Sequence, residues 1–408
     1  MTSGWHDDES RWIDRRMALA QEWDDLVERA RELPGFEDFL RPPKVELLLD
    51  AAVDGPVVVL NVSRWRCDAL IVTTTGIEVV ELNGLTAEDV AENTQRYLDA
   101  LLGTGTGEEP TSFARAVAAY QAGRDRREET LHEITEWLWD RVTGPVLDRL
   151  GPVDRLWWCP TGLLTLLPVH GAGYHRPADR TSGRCVVDRV VSSYTPTLRA
   201  LHELRGERAT AGAARLMFVG AGDVLDLPRL HAVRLERDLL AGTFGDDLDR
   251  YEGDDGTVGA VLDALGGYRW VHFSCHGLQD LDDPSRAGFV LRDGVATIRQ
   301  ISERQYAGEF AFLSACRTAT GGLHLPDEAI TLAAALNYTG FRRVVGTLWS
   351  VDQTVAADVT RAVYTALTAG GSFDPTRSAY ALHDAVLAVR ADPDRSLVDW
   401  LPFVHSGL

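Results

Sequence analysis

RWVHFSCHG, from Arg269 to Gly277, and FAFLSACRTATG, from Phe310 to Gly321, are the two runs whose reading decides the fold. Each begins as a short apolar stretch without a helical period and ends on a reactive side chain followed by small residues. That is the pattern of a parallel strand, buried on both faces, that delivers a chemical group at its carboxyl end. The first run delivers His276 and Gly277, the second Cys316. Forty residues separate the histidine from the cysteine. A crossover between neighbouring parallel strands takes a dozen residues or more, so this gap holds a hairpin and a helix while the strand ends lie side by side. The spacing predicts a thiol and an imidazole facing one cleft.

Outward from these runs, strands and helices alternate. Leu216 to Gly220 (LMFVG) reads as a strand, and Leu235 to Gly242 and Thr257 to Leu265 as helices. After His276, GFVLRDG and VATI predict a hairpin around Asp293-Gly294, then a short helix before the cysteine strand. Beyond it, Glu328 to Tyr338 reads as a helix and Arg343 to Trp349 (RVVGTLW) as a buried strand. Val355, Val359, Val363 and Leu367 form a helical stripe that Gly370-Gly371 stops, and Asp374-Pro375 caps and opens a last helix. Upstream, LWWCPTGLLTLLPVHG from Leu156 reads as strand, turn and second apolar run, and Cys185 to Tyr194 as another strand. The predicted fold class is α/β, a mostly parallel sheet flanked by helices. Its ligands lie outside the carboxyl ends of the strands, where His276 and Cys316 both stand.

The N-terminal part has a different texture. Trp12 to Leu33 carries an apolar stripe (Trp12, Leu19, Trp23, Leu26, Val27, Ala30) read as a packing face, ended by Leu33-Pro34-Gly35 and followed by a stiff Arg41-Pro42-Pro43 joint. From Pro56, VVVLNV, DALIVTT and IEVVEL predict an antiparallel meander. Thr86 caps a helix to about Leu102, Gly103 to Ser112 reads as a loop, and Phe113 to Ala122 and Glu128 to Leu150 as helices. Two domains are expected, 1–150 and 151–408.

With 408 residues, 45% hydrophobic and 25% charged, the chain has the composition of a globular protein. Its 41 basic and 61 acidic side chains give a net charge of −20, which repels nucleic acid and anionic membrane and leaves polypeptide or cationic ligands as partners. No window of 18 apolar residues exists and the first residues are acidic, so a cytoplasmic location is expected. Five scattered cysteines (Cys67, Cys159, Cys185, Cys275, Cys316) read as reduced thiols. A metal site from His272, Cys275, His276, Cys316 and His324 is disfavoured because Cys275 points to the opposite face of its strand. His170 and His175 read as loop hydrogen-bonding residues. FVGAGD lacks a dinucleotide or phosphate-loop pattern, and no GxSxG elbow is present. No cofactor is expected.

A cysteine is nucleophilic as the thiolate, and a partner imidazole takes its proton and returns it to a leaving amine. The backbone N–H groups of Gly277 and Cys316 are candidates to stabilise an oxyanion. On spacing alone, the same Cys and His also fit a buried core.

Ser314-Ala315-Cys316-Arg317-Thr318 departs from the caspase signature Q-A-C-[RQG]-G at its first and last positions. With Ser274-Cys275-His276-Gly277 before it, it more closely resembles the CHAT family, cysteine peptidases of the caspase and separase clan. LWWCPTGLLTLLPVHG, SSYTPTLRAL, the LPRLHAVRLERDLL region and VVGTLWSVD carry the same resemblance, from about Leu156 onward. The upstream meander is similar to the noncatalytic, pseudo-protease or regulatory part of many such proteins. The resemblance implies a caspase-like sheet and cofactor-free endopeptidase activity on a protein partner through a Cys316–His276 dyad. Family members act in bacterial self-killing or antiphage defence, and some cleave gasdermin-like pore formers. A gasdermin-like or other neighbouring-gene product is thus the implied substrate. Family members often carry tetratricopeptide repeats, but no ~34-residue helical period is found in this sequence, so the expected upstream regulator is either a separate activator protein or the N-terminal region here. Separase-like relatives take a basic P1 residue in an acidic pocket, for which Asp352 is the candidate, with Asp327 and Glu328 after the cysteine loop; helix capping explains these residues equally well. The alternative is a catalytically silent or switch-type module that holds a partner with the same fold.

Overall fold

The computed structural model describes residues 4–33, 36, 39–41, 44–102, 113–179, 182–206, 212–224, 227–278, 283–315 and 331–408. Two compact units divide the chain, residues 1–48 and 49–408. The first contains α1 (Gly4–Arg31) and most of a five-residue helix, α2 (Val45–Leu49). The predicted stripe on α1 is not a packing face: Trp12, Leu19, Trp23 and Leu26 are 50–69% exposed, and only Val27 is buried. The pattern fixes an amphipathic helix, but the described remainder of this unit is too small to cover its apolar side.

The second unit opens with strands β1 (Val57–Asn61), β2 (Asp68–Thr73) and β3 (Gly76–Glu81). Helices α3 (Ala87–Leu102), α4 (Phe113–Leu138) and α5 (Gly144–Leu150) follow. Next come β4 (Arg155–Pro160), β5 (Val191–Tyr194), α6 (Leu198–Arg205), β6 (Ala213–Ala221), α7 (Ala232–Phe244), β7 (Leu248–Tyr251) and α8 (Val258–Ala264). The predicted histidine strand is β8 (Tyr268–Leu278), and the predicted hairpin is β9 (Gly288–Leu291) with β10 (Gly294–Thr297). Helix α9 (Ile298–Ser302) precedes the cysteine strand, β11 (Phe310–Ser314). The chain continues through α10 (Leu332–Thr339), β12 (Arg343–Thr347), α11 (Gln353–Thr368), α12 (Ser378–Ala391), α13 (Leu397–Trp400) and β13 (Phe403–Gly407). No described helix is long and apolar enough to cross a membrane.

All described strands join one sheet. Its order is β7–β6–β8–β11–β12–β13–β5–β4–β1–β2–β3, with the β9–β10 hairpin on the carboxyl end of β8. β7, β6, β8, β11 and β12 run parallel. β13 is antiparallel to β12 and begins a second parallel block with β5, β4 and β1. The expected meander is present, but β1 also pairs in parallel with β4, so β1–β3 extend the same sheet.

The strands around the site are buried on both faces, which is why their sequences lack alternation. Leu216, Phe218, Trp270, Phe310 and Phe312 pack toward α7, α11 and α12. Met217, Val219, Val271, Phe273, Ala311 and Leu313 pack toward α8, α9 and α10.

Three expectations were too regular. The apolar run after Pro160 forms two short 3-10 turns, 162–166 and 169–171, that bury Leu164, Leu166 and Val169. Only the end of the Cys185 to Tyr194 run is strand, because Val186–Asp188 makes another 3-10 turn. The helices from Phe113 and from Glu128 are one helix, followed by a π-turn at Trp139–Thr143. Pro145 cannot donate to the carbonyl four residues back, and Gly144 closes the wider ring by donating to Trp139.

Candidate active site

β8 and β11 are neighbours in parallel, with Ser274 opposite Ser314. His276 lies two residues beyond the first serine; Cys316 lies two beyond the second and falls outside the described residues, as do His324, Asp327 and Glu328. β8 runs past Ser274, where sequence pattern had ended it, because His276, Gly277 and Leu278 pair with Val290, Phe289 and Gly288 of β9.

The half-buried His276 ring is held at one nitrogen. Nε2 lies 2.8 Å from the carbonyl oxygen of Pro228, in the loop before α7. A carbonyl only accepts, so Nε2 carries the hydrogen, and in the neutral ring Nδ1 is left as the base. That loop is itself anchored: Leu230 N–H donates to Gly222 O at 3.0 Å, and Gln353 of α11 accepts from Ala232 N–H at 3.0 Å. On β12, the Thr347 hydroxyl donates to the Ala315 carbonyl at 2.9 Å, fixing the backbone next to position 316. A cavity of about 50 Å³ opens between these elements, lined among others by Val233, Ser274, Ser314, Thr347, Val351 and Gln353.

Beneath the strand tips lies a polar layer on an aromatic one. His272 is stacked between its register neighbours Phe218 and Phe312, with centroids at 5.6 and 5.0 Å. Its Nδ1 is 3.2 Å from the Tyr364 hydroxyl, and its Nε2–H donates to Glu236 at 3.3 Å. Glu236, on α7, is fully buried. One of its oxygens accepts from His272 and from the Ser274 hydroxyl; the other accepts from Ser314 at 2.6 Å and Thr360 at 3.0 Å. Burial alone pushes its pKa up, but the bonds and charge from His272, with those from the serines, outweigh this and hold it below the usual glutamate range.

The family model described as CHAT domain matches residues 132–408. The chain belongs to the CHAT family. No curated protein matches it. It is similar to the separase of the Saccharomyces cerevisiae separase–securin complex, with a TM-score of 0.57 and 9% identity, covering 89% of this chain and 31% of that one. A second structure of that complex gives 0.55 and 9%, over 89% and 30%. The Porphyromonas gingivalis RgpB pro- and mature domains give 0.41 and 10%, over 78% and 75%. This CHAT chain thus spans about 30% of the separase chains it matches. Its fold is that of the caspase-like cysteine peptidases.

Of the residues singled out in sequence, the fold brings β8 with His276 and β11, which leads to Cys316, side by side. Gly277 sits in the β8–β9 ladder opposite Phe289. Asp352 is exposed and caps α11, its carboxylate accepting from the N–H groups of Thr354 and Val355. His170 bonds Tyr194 and the Leu401 carbonyl, and His175 bonds the Gly171 carbonyl, the expected loop roles. A thiol–imidazole contact is present elsewhere among the described residues, Cys185 Sγ to His175 Nδ1 at 3.6 Å. Burial pushes that thiol up to about 12 and that imidazole down to about 3, so the proton stays on sulfur and the pair is inert.

Pro228, Thr347 and Glu236 were not found from sequence. A backbone carbonyl leaves no residue signature. Glu236 did leave one: with Val233 and Leu240 it falls at i, i+3 and i+7 of a buried stripe, while Leu235 beside it is half exposed.

Proposed function

We propose that this CHAT chain is a cysteine endopeptidase whose nucleophile is Cys316 and whose base is His276. The observation that carries this reading is the pairing of Ser274 with Ser314, with His276 held by the Pro228 carbonyl so that Nδ1 is the nitrogen left for chemistry. Covalent connectivity keeps residue 316 within about 7 Å of the Cα of Ser314, the last residue of the strand beside the histidine's. Nδ1 takes the thiol proton and the thiolate adds to the scissile carbonyl. The N–H groups of Gly277 and Cys316 bind the oxyanion, His276 returns the proton to the leaving amine, and water then releases the acyl group. On this reading residues 151–408 carry the chemistry and the strands before them brace the sheet.

The substrate is a protein, of the kind the family takes in self-killing or antiphage defence: a gasdermin-like or other neighbouring-gene product. Separase is held by securin in the structures this chain resembles, which supports a separate protein regulator here too. Asp352 borders the cavity through its neighbours Val351 and Gln353 and is the proposed S1 carboxylate for a P1 Arg or Lys. Its capping role leaves one carboxylate oxygen for that contact. A peptide panel varied only at P1 checks this: basic P1 is expected to be cleaved fastest, and uptake of acidic or apolar P1 alone overturns the acidic pocket.

The test of the activity uses purified protein and its Cys316→Ala variant against the products of adjacent genes, together with an electrophilic peptide. Cleavage and labelling that vanish in Cys316→Ala are expected. Their absence from the wild-type protein in every condition, with and without the neighbouring proteins, favours the silent interaction module.

A further inference from the structure

We propose that Glu236 is a positioning residue for this dyad: from α7 it ties the tips of β8 and β11 together through Ser274 and Ser314, and so holds His276 and Cys316 in register. The inference rests on the peptidase reading above, which names the two residues being positioned.

Four donors converge on one carboxylate from three elements: His272 and Ser274 on β8, Ser314 on β11 and Thr360 on α11. An ionised carboxylate has about four acceptor sites and no donor, so each oxygen is filled by two bonds. A protonated acid or an amide in its place would donate where the carboxylate accepts, so a serine or threonine hydroxyl would have to turn round, accept that hydrogen and send its own to another acceptor in a buried site. The ionised form accepts from all four donors at once.

Stability alone is a poor account of such a group. An ion buried among aromatic rings is expensive to desolvate, and packed apolar side chains of the same volume commonly do as well or better. Its position is what distinguishes it. Ser274 and Ser314 are direct register partners, each two residues before a member of the dyad. The described β8–β11 ladder ends at this pair, while β8 itself goes on to pair with β9, so a side-chain tie at this point is what holds the two strands to each other. Glu236 bonds both tips, and its helix follows the anchored loop whose Pro228 carbonyl orients His276. One element thereby references the base and the nucleophile's strand to the same frame. Displacing reacting groups by about 1 Å costs roughly a hundredfold in rate, and losing a supporting partner typically costs about ten- to a hundredfold.

The experiment measures the rate at which iodoacetamide alkylates Cys316 as a function of pH, and kcat and KM on a cleaved peptide. It compares wild type, Glu236→Gln, Ser274→Ala/Ser314→Ala and His276→Asn, each checked for folding by circular dichroism and thermal melting. In Glu236→Gln, and in the double serine variant that keeps the carboxylate with His272 and Thr360, kcat and the alkylation rate are expected to fall about ten- to a hundredfold, with KM within about twofold. The pH profile of alkylation shifts toward that of His276→Asn. A purely structural Glu236 would lower the melting temperature and leave the rate and pH profile of the folded protein unchanged, and that result overturns the proposal. If Glu236→Gln does not fold, the double serine variant decides by the same criterion. If wild-type Cys316 is alkylated no faster than in His276→Asn and no peptide is cleaved, the peptidase reading itself has failed; wild-type activity undiminished in the variants means that Glu236 alone has.

Discussion

A ring nitrogen that donates to a carbonyl cannot act as a base, so the Pro228 contact leaves Nδ1 as the basic nitrogen of the neutral His276 ring, the one the proposed reaction uses. His276→Asn puts a smaller polar side chain in place of the ring and removes the base. It is expected to lower kcat by about 10²–10⁴-fold with little change in KM, measured on the peptide that the wild-type protein cleaves best. An equal rise in KM alone would assign His276 to binding. At this scale the sequence was legible where a run of residues foretells a strand: the runs that lead to His276 and to Cys316 are β8 and β11, parallel neighbours as expected. It was illegible where the chemistry belongs to the backbone, as with Pro228. It was misleading at Glu236, because a glutamate between Arg234, Leu235 and Arg237 looks like part of a solvated face, and only the spacing to Val233 and Leu240 says otherwise.

Elements were legible where hydrophobic pattern and capping chemistry agree. Thr86 caps α3 and Asp293-Gly294 turns the β9–β10 hairpin, as read from the residues; the structure adds that Asp89 returns the Thr86 cap and that Thr257 caps α8, in the run read as helical. The strands that escaped notice, β7 and β13, are short and partly polar: Leu248–Tyr251 reads LDRY and Phe403–Gly407 reads FVHSG. Nothing local marks FVHSG as strand; its two partners do, through Val345 opposite His405 and Tyr194 opposite Ser406. One glycine joins the elements near the site. Gly340 ends α10 at φ +119°, and a Cβ there would run into the Tyr306 carbonyl. Gly340→Ala is expected to destabilise the fold by at least about 1–3 kcal/mol, from backbone strain alone, read as a lower urea midpoint at an unchanged slope. An unchanged midpoint would mean the turn has room to move.

At the scale of the molecule, several buried histidines set how the fold answers to acid. Burial holds His170 at about 4 and His175 at about 3, and holds His405 well below its ordinary value beside Arg155 and Arg343. An unfolded histidine titrates near 6.5. Below that pH the unfolded chain takes up protons that the folded chain refuses, so stability is full above about 6.5 and falls as pH drops toward 4. The slope reaches about 1.4 kcal/mol per pH unit for each such histidine. Urea midpoints measured from pH 7.5 to 4.5 are expected to decline across this window; a flat profile would show that these rings gain protons without unfolding.

β13 sits between the two parallel blocks, with Trp157 Nε1–H donating to the Gly407 carbonyl across 250 residues of chain. One apolar core runs under both blocks, from Val58 and Trp158 to Phe312 and Val345. Among the described residues of 49–408 the shared ladder and core leave no hinge between the two blocks, since opening would tear both at once. On the proposed reading, a regulator of this molecule is expected to act locally against a stiff plate, by occupying the cleft or cutting a connector, with the frame behind the histidine left in place.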